Sequence, residues 1–259
     1  HFKNAFFSDI TLDQSTTTYY LTEIIQTCIK PIYNDSVTFQ LENDQVISVI
    51  NLPKELDKAI EMSKIEKALN NIKQKLSNEK KYIFLTIVVS NVYQDISQLN
   101  QAYNKTLEIY EHRAPIDSTQ ILYDTVDAEF SKANCFYFPS QQEEQLINLI
   151  DNSRMEECIE LITDIFDYNY RKKVDSFYIK ALCYEIVNCC IKVLTKSYYE
   201  IPKALDTKQI FQHIKNVSSI DEYKSIIIDF VSRVIEYINN NKKKDDYIIS
   251  TIIGYIQEH

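Results

Sequence analysis

The chain has 259 residues, of which 45% are hydrophobic and 25% are charged, and this balance is typical of a folded protein rather than a disordered one. Its net charge of -9 argues against direct DNA binding, because autonomous nucleic-acid binders usually carry a basic face. The single glycine, Gly254, excludes the glycine-rich loops of P-loop proteins, dinucleotide-binding folds and serine hydrolases, which need glycine for positive φ and close backbone approach.

The first half of the chain alternates between strand and helix patterns. Apolar residues recur at helical spacing in some segments, and others are short apolar or alternating runs bounded by turn residues. The predicted order βαββαβαβ corresponds to residues 2–12, 19–29, 37–41, 46–52, 53–76, 82–90, 96–112 and 121–126. This order predicts an antiparallel sheet with helices packed on a face.

The second half shows a helical pattern only. Helix starts are predicted by serine-led capping boxes at Ser140, Ser153 and Ser219. The predicted helices cover residues 141–151, 154–168, 176–199, 207–216, 220–240 and 246–258. The lysine-rich run 239–246 is interpreted as a solvated turn between the last two helices, with contact to DNA phosphates as the alternative. The fold class is therefore α+β, with predicted domains 1–138 and 139–259.

Several stretches of the first half resemble a GGDEF-type cyclase domain. They are "FFSDITLDQ", "FQLENDQVISVI" and "SQLNQAYNKTLEIYEHRA", in a chain with the βαββαβαβ order. The resemblance implies a ferredoxin-like fold and places Asp9 at the first metal-binding carboxylate. It places the run Glu42–Val46 where the family has Gly-Gly-Asp-Glu-Phe, and Ala102–Tyr103 at the start of a late helix.

The residues at these positions differ from those of an active cyclase. Glu42 and Asn43 bring side chains into the space that glycines leave open for a nucleotide, and Glu42 adds a charge that repels phosphate. Gln45 is neutral and is a poorer ligand for a hard cation than a carboxylate. Thr11 stands where a second acid often follows, and no Arg-x-x-Asp precedes the hairpin. We therefore expect no enzyme activity, no cofactor and no bound metal, and an inactive remnant at Asp9, Glu42, Asn43, Asp44 and Gln45.

The second half resembles part of another family. "FPSQQEEQLINLIDNSRMEECIELITDIF" is similar to the helical linker that follows a degenerate GGDEF-like domain in YesN-type regulators of the AraC family. "KKKDDYIISTIIGYIQEH" resembles the helix that leads into the paired helix-turn-helix motifs, which would lie outside this chain. The resemblance implies a cytoplasmic, non-catalytic segment of a transcription regulator.

The same resemblance sets expectations for partners. It implies a homodimer that contacts DNA only through a downstream domain. The dimer would respond to an unknown ligand or to an upstream sensor. Any membrane anchor of the full-length protein would lie in that upstream part. No membrane contact is expected for the segment itself. The alternative is a receptor for a small molecule or nucleotide, built on a dead cyclase fold. A residual cyclase is the third hypothesis.

Other candidate residues have structural interpretations. An inert pair is favoured over a weak cation site at Asp9 and Asp44, because two carboxylates alone lack the oxygen ligands that a divalent cation requires. His112 and His213 are predicted at solvated helix positions, and Cys189 and Cys190 in the core of an apolar helix. The aromatic side chains of the longest predicted helix are interpreted as core, with a ligand pocket or a dimer seam left open: Phe177, Tyr178, Tyr184, Tyr198 and Tyr199.

Overall fold

The computed structural model describes residues 2–4, 14–42, 45–53, 55, 57–79, 83–124, 135–196, 207–217 and 219–258. The fold is mixed α+β with small sheets, and 68% of the described residues are helical. The chain divides into a first unit, His1–Tyr110 with Asp117–Thr125, and a helical unit, Glu111–Ile116 with Val126–His259. The domain boundary that the sequence places after residue 138 stays a prediction.

The described elements of the first unit follow the predicted order βαββαβαβ. They are β1 (Phe2–Asn4), α1 (Gln14–Ile29), β2 (Ser36–Glu42), β3 (Gln45–Ile50), α2 (Lys58–Glu79), β4 (Ile83–Val89), α3 (Leu99–Glu111) and β5 (Gln120–Tyr123). Residues 5–12 of the predicted first strand lie outside the described residues. The order and type of these helices and strands could be predicted from the sequence, because the periodicity of apolar residues is a local property of each segment.

The described strands form a mixed sheet, so the prediction of an antiparallel sheet is wrong in part. β1 pairs antiparallel with β4, but β4 pairs parallel with β5, with Thr86 opposite Gln120 and Val89 opposite Tyr123. The parallel pair arises because α3 crosses over between β4 and β5, which returns the chain in the same direction. β2 and β3 form a separate antiparallel hairpin.

The core of the first unit lies mainly between α1, α2 and the strands. Leu69, Ile72 and Leu76 recur at helical spacing in α2 and are buried, as are Leu21 of α1 and Leu85 of β4. This stripe explains why a helix rich in lysine and glutamate packs stably, since most of its polar residues are exposed and Glu61, the buried one, is bonded to Tyr33 and Lys64.

The helical unit contains α4 (Ser140–Asp151), α5 (Met155–Arg171), α6 (Ser176–Lys196), α7 (Thr207–Asn216) and α8 (Ile220–Glu258). The predicted break at residues 239–246 is wrong, because α8 is one helix of 39 residues. The run contains neither glycine nor proline, and lysine is a good helix former, so the backbone continues through it as a helix. Among the described residues, no helix is apolar enough over sufficient length to cross a bilayer.

The predicted capping boxes have different outcomes. Ser219 Oγ accepts a hydrogen bond from Glu222 N at 3.4 Å, which confirms the serine half of that box. Ser140 is the first residue of α4 rather than its cap, so that prediction is wrong. Ser153 does not cap α5 either, because it has φ 58° and ends α4, where Arg154 N donates to Leu149 O. This is a Schellman-type helix end, which favours a left-handed residue at that position.

Four cysteines of the helical unit are buried in its core, as predicted for Cys189 and Cys190: Cys158, Cys183, Cys189 and Cys190. Burial raises the pKa of Cys158 and of Cys189 to about 12. Thiolates are the reactive form of cysteine, so these thiols are held in their unreactive form at neutral pH.

We expect a maleimide reagent at pH 8 to label one thiol per native chain within minutes. Cys135 is exposed, whereas the other five cysteines are buried. Mass spectrometry of the labelled protein checks the number of labels, and Cys135→Ser should remove nearly all labelling of the native chain. Rapid labelling of a second thiol would contradict this description of the cores.

Candidate functional site

The predicted remnant site centres on the β2–β3 hairpin. β2 ends at Glu42 and β3 begins at Gln45, and these two residues face each other across the hairpin after a register irregularity between Gln40 and Glu42. Asp9, Asn43 and Asp44 lie outside the described residues. Of the predicted site residues, the structure therefore brings together the backbones of Glu42 and Gln45.

The side chain of Gln45 is engaged by α3. The hydroxyl of Tyr103 donates to Gln45 Oε1 at 3.0 Å, and both side chains are half-buried. The amide oxygen of Gln45 thus serves as a structural acceptor between the hairpin and the helix. This contact joins residues 58 positions apart, so no local sequence pattern could reveal it.

Replacing Tyr103 with phenylalanine should lower the free energy of unfolding of the first unit by about 1 kcal/mol, the usual contribution of one such hydrogen bond. Tyr19→Phe is the matched control, because Tyr19 lies in the same unit and is 67% exposed. Urea unfolding of both variants provides the measurement. Equal stabilities would show that the bond to Gln45 contributes nothing.

A polar groove lies at the carboxyl ends of β4 and β5. It has a volume of about 710 Å³ and is lined by Asn91, Tyr93, Ser97, Asn100, Gln101, Asn104, Lys105, Glu108 and Asp124. Asp124 directly follows β5, where its amide donates to Val89 O at 2.8 Å, and its Oδ2 accepts from Asn91 N at 3.4 Å. Ligands of open sheets with parallel strands commonly bind at this edge.

The chain entering α3 shapes one side of the groove. Asp95 caps a short 3₁₀ turn, Ile96–Gln98, by accepting from Ser97 N at 2.7 Å, while Gln98 Oε1 accepts from Asp95 N at 3.4 Å. The Asp95 carboxylate is stabilised by hydrogen bonds from the backbone and the side chain of Ser97, and these lower the pKa of Asp95. The capping box was not among the sequence predictions, although its Asp-x-x-Gln spacing is visible in the sequence.

The charges in the groove are unfavourable for phosphate. Lys105 Nζ lies 2.9 Å from Glu108 Oε2, and this hydrogen bond raises the pKa of Lys105, with further attraction from Asp124. The lining therefore carries two carboxylates and one ammonium group that is already paired. A neutral or cationic polar molecule fits this balance better than an anion.

A second cluster of polar contacts lies in the helical unit, at the segment Glu111–Ile116, hereafter the 111–116 segment. His112 Nδ1 lies 2.8 Å from Asp175 Oδ2, and Asp175 Oδ1 accepts from Tyr178 N at 3.1 Å. Lys180 Nζ donates to Glu111 Oε2 at 2.8 Å. The prediction of a solvated helix position for His112 is wrong, because its ring is half-buried and bonded to Asp175. The two residues are 63 positions apart in the sequence, so no local pattern reveals the contact.

Backbone carbonyls of the same segment accept hydrogen bonds at the starts of two helices of the helical unit. Arg113 O accepts from Ser176 N, the first amide of α6, and Pro115 O accepts from Ile220 N, the first amide of α8, both at 3.0 Å. The first amides of a helix have no partner within the helix, so these carbonyls satisfy groups that otherwise need water or a side chain. Arg113 is 2% exposed and donates to Val217 O at 3.3 Å.

The remaining candidates have mostly structural positions. Tyr178 and Tyr184 pack against the core, as predicted, whereas Phe177 is exposed beside the ring of His112. Tyr198 and Tyr199 lie outside the described residues. His213 is exposed on α7, which confirms the prediction for that residue. Within the described ranges, no group of three histidine, cysteine or acidic side chains is arranged to hold a metal ion.

No protein-family model, curated protein or solved structure matches the chain. Its function is therefore inferred from its residues and their geometry.

Proposed function

We propose that the chain is a regulatory, non-catalytic segment of an AraC-family transcription regulator of the YesN type. Residues 1–138 would form a degenerate GGDEF-like domain with a ferredoxin-like fold, and residues 139–259 a helical linker. The observation that carries the proposal is the hydrogen bond of 3.0 Å from Tyr103 to Gln45, which ties the signature hairpin to α3.

Two further features support the GGDEF-like frame. The element order βαββαβαβ agrees with the one that the family resemblance implies. The antiparallel β1–β4 pair and the β2–β3 hairpin are strand pairings compatible with a ferredoxin-like arrangement. In a degenerate GGDEF-like domain the fold is retained as a scaffold, while Glu42 and Gln45 replace the glycine and the acid that catalysis needs.

The length of α8 supports a role in transmitting a signal. Its 39 residues extend over about 58 Å at the usual rise of an α-helix. Near its end, Ile252, Tyr255 and Ile256 are exposed at helical spacing, as in the seam of a helix pair. We assign this stripe to contact with a second copy of the chain in a cytoplasmic homodimer, which would present two DNA-binding domains to repeated half-sites.

The proposal is tested with the coding sequence that follows residue 259 and with the full-length protein. We expect two helix-turn-helix motifs within about 100 residues, each with a recognition helix for the major groove. The purified full-length protein should bind a DNA fragment with paired half-sites as a dimer in a gel-shift assay. A following sequence without such motifs, or full-length protein that does not bind DNA, would contradict the proposal.

A second candidate function is a receptor for a small molecule. The groove between Asn91, Lys105 and Asp124 favours this alternative, because its lining places several polar side chains that can hydrogen-bond a small molecule side by side. Its two carboxylates, Glu108 and Asp124, favour a neutral or cationic ligand over a nucleotide. Calorimetric titrations with GTP and with cyclic dinucleotides distinguish a nucleotide receptor from a receptor for a neutral or cationic molecule. Micromolar affinity for either nucleotide would favour the nucleotide receptor.

A further inference from the structure

The 111–116 segment connects two elements of the first unit in sequence, although its own contacts lie in the helical unit. α3 runs into the segment at Glu111, and the chain then continues through Asp117 to β5. Both ends of the segment are therefore fixed covalently to elements of the first unit. A local change that loosens the end of α3 therefore reaches the segment along the chain itself.

The contacts of the segment fall at the starts of two helices. The carbonyls of Arg113 and Pro115 accept from the first amides of α6 and α8, and His112 bonds to Asp175, which also caps α6 through Tyr178 N. A helix is sensitive at this point because its first amides lack internal partners. Displacement of the segment would remove partners from α6 and α8 together.

We propose that the 111–116 segment is a strap through which changes in α3 of the first unit alter the capping of α6 and α8. This inference rests on the proposed function, because it names the route by which a regulatory signal would pass along the chain. The strap is a two-state element, because the starts of α6 and α8 are either capped by it or uncapped. Conformational transmission requires such an element.

Amide hydrogen exchange tests the strap in the intact chain. Ile109 of α3 is 1% exposed, and Ile109→Ala should loosen the helix just before the segment. We expect exchange of the Ser176 and Ile220 amides to become at least about tenfold faster, a change typical of local loss of protection. The matched control is Ile72→Ala in α2, because Ile72 is 2% exposed in the same unit but lies outside the segment's helix.

The control variant should change exchange of these two amides by less than about twofold. If Ile109→Ala does not fold, Ile109→Val provides a milder cavity with the same expected direction. His112→Ala should accelerate exchange at Ser176, whereas His213→Ala, at an exposed position on α7, should not.

Each outcome bears on the strap alone. Unchanged exchange in the Ile109 variants, or equal acceleration by the Ile72 control, would overturn it. The measurement uses no DNA, so it can fail while the full-length protein still binds DNA, and it can succeed when DNA binding is absent. Failure of the strap is therefore distinguishable from failure of the proposed function.

Discussion

Asn169→Ala is expected to lower the free energy of unfolding of the helical unit by about 3 kcal/mol, the sum of three lost hydrogen bonds. The side chain of Asn169 is fully buried. Its Nδ2 donates to Tyr137 O at 3.0 Å and to Ile165 O at 2.8 Å, and its Oδ1 accepts from Tyr137 N at 2.6 Å. Alanine would leave the backbone groups of Tyr137 without these partners and would open a small cavity beside them.

The matched control for this experiment is Asn188→Ala on the exposed face of α6. Both substitutions gain the same helix propensity, so the difference between them reports the buried contacts. The control should be neutral or slightly stabilising in urea unfolding followed by circular dichroism. Equal stability of the two variants would show that Asn169 does not anchor the chain before α4.

Asn240→Pro is expected to destabilise the helical unit by about 3 kcal/mol or more, the usual cost of proline in a helix interior. Asn240 is exposed in the middle of α8, so the substitution tests the backbone rather than side-chain packing. The proline ring would remove one main-chain hydrogen bond and clash with the preceding turn. Asn240→Ala, which keeps the helix, is the control.

Circular dichroism and urea unfolding provide the readouts for the proline variant. A lower helical signal together with reduced stability would agree with one continuous α8. If residues 239–246 instead formed the turn that the sequence pattern favours, proline would be tolerated at nearly the stability of the alanine variant. That result would remove the long helix from the proposed transmission route.

The sequence predicted the elements well where the signal is local. The alternation in β2 and β3 identified those strands within about two residues of their bounds, whereas the apolar spacing identified α2 but placed its start at Pro53 instead of Lys58. It failed where a residue competes for two roles, as at Ser153, which matches a helix start but ends α4. It also failed at 239–246, where polar composition resembles a turn although every residue tolerates a helix.

The contacts of the candidate site could be predicted only in part. The hairpin position of Gln45 follows from the alternating residues of the two strands, but its bond to Tyr103 depends on tertiary structure. The bond from His112 to Asp175 likewise depends on tertiary structure, because the two residues are 63 positions apart and no local sequence pattern links them. Both contacts arise from chain folding over long separations, which periodicity does not encode.

In the proposed function the β2–β3 hairpin is a structural element and does not bind a metal-bound nucleotide. The most direct measurement is a calorimetric titration of the chain with GTP and Mg²⁺, followed by chromatography of the reaction mixture for cyclic dinucleotide. We expect no binding at micromolar nucleotide and no cyclic product. Micromolar binding with formation of cyclic dinucleotide, weakened by Gln45→Leu, would contradict it.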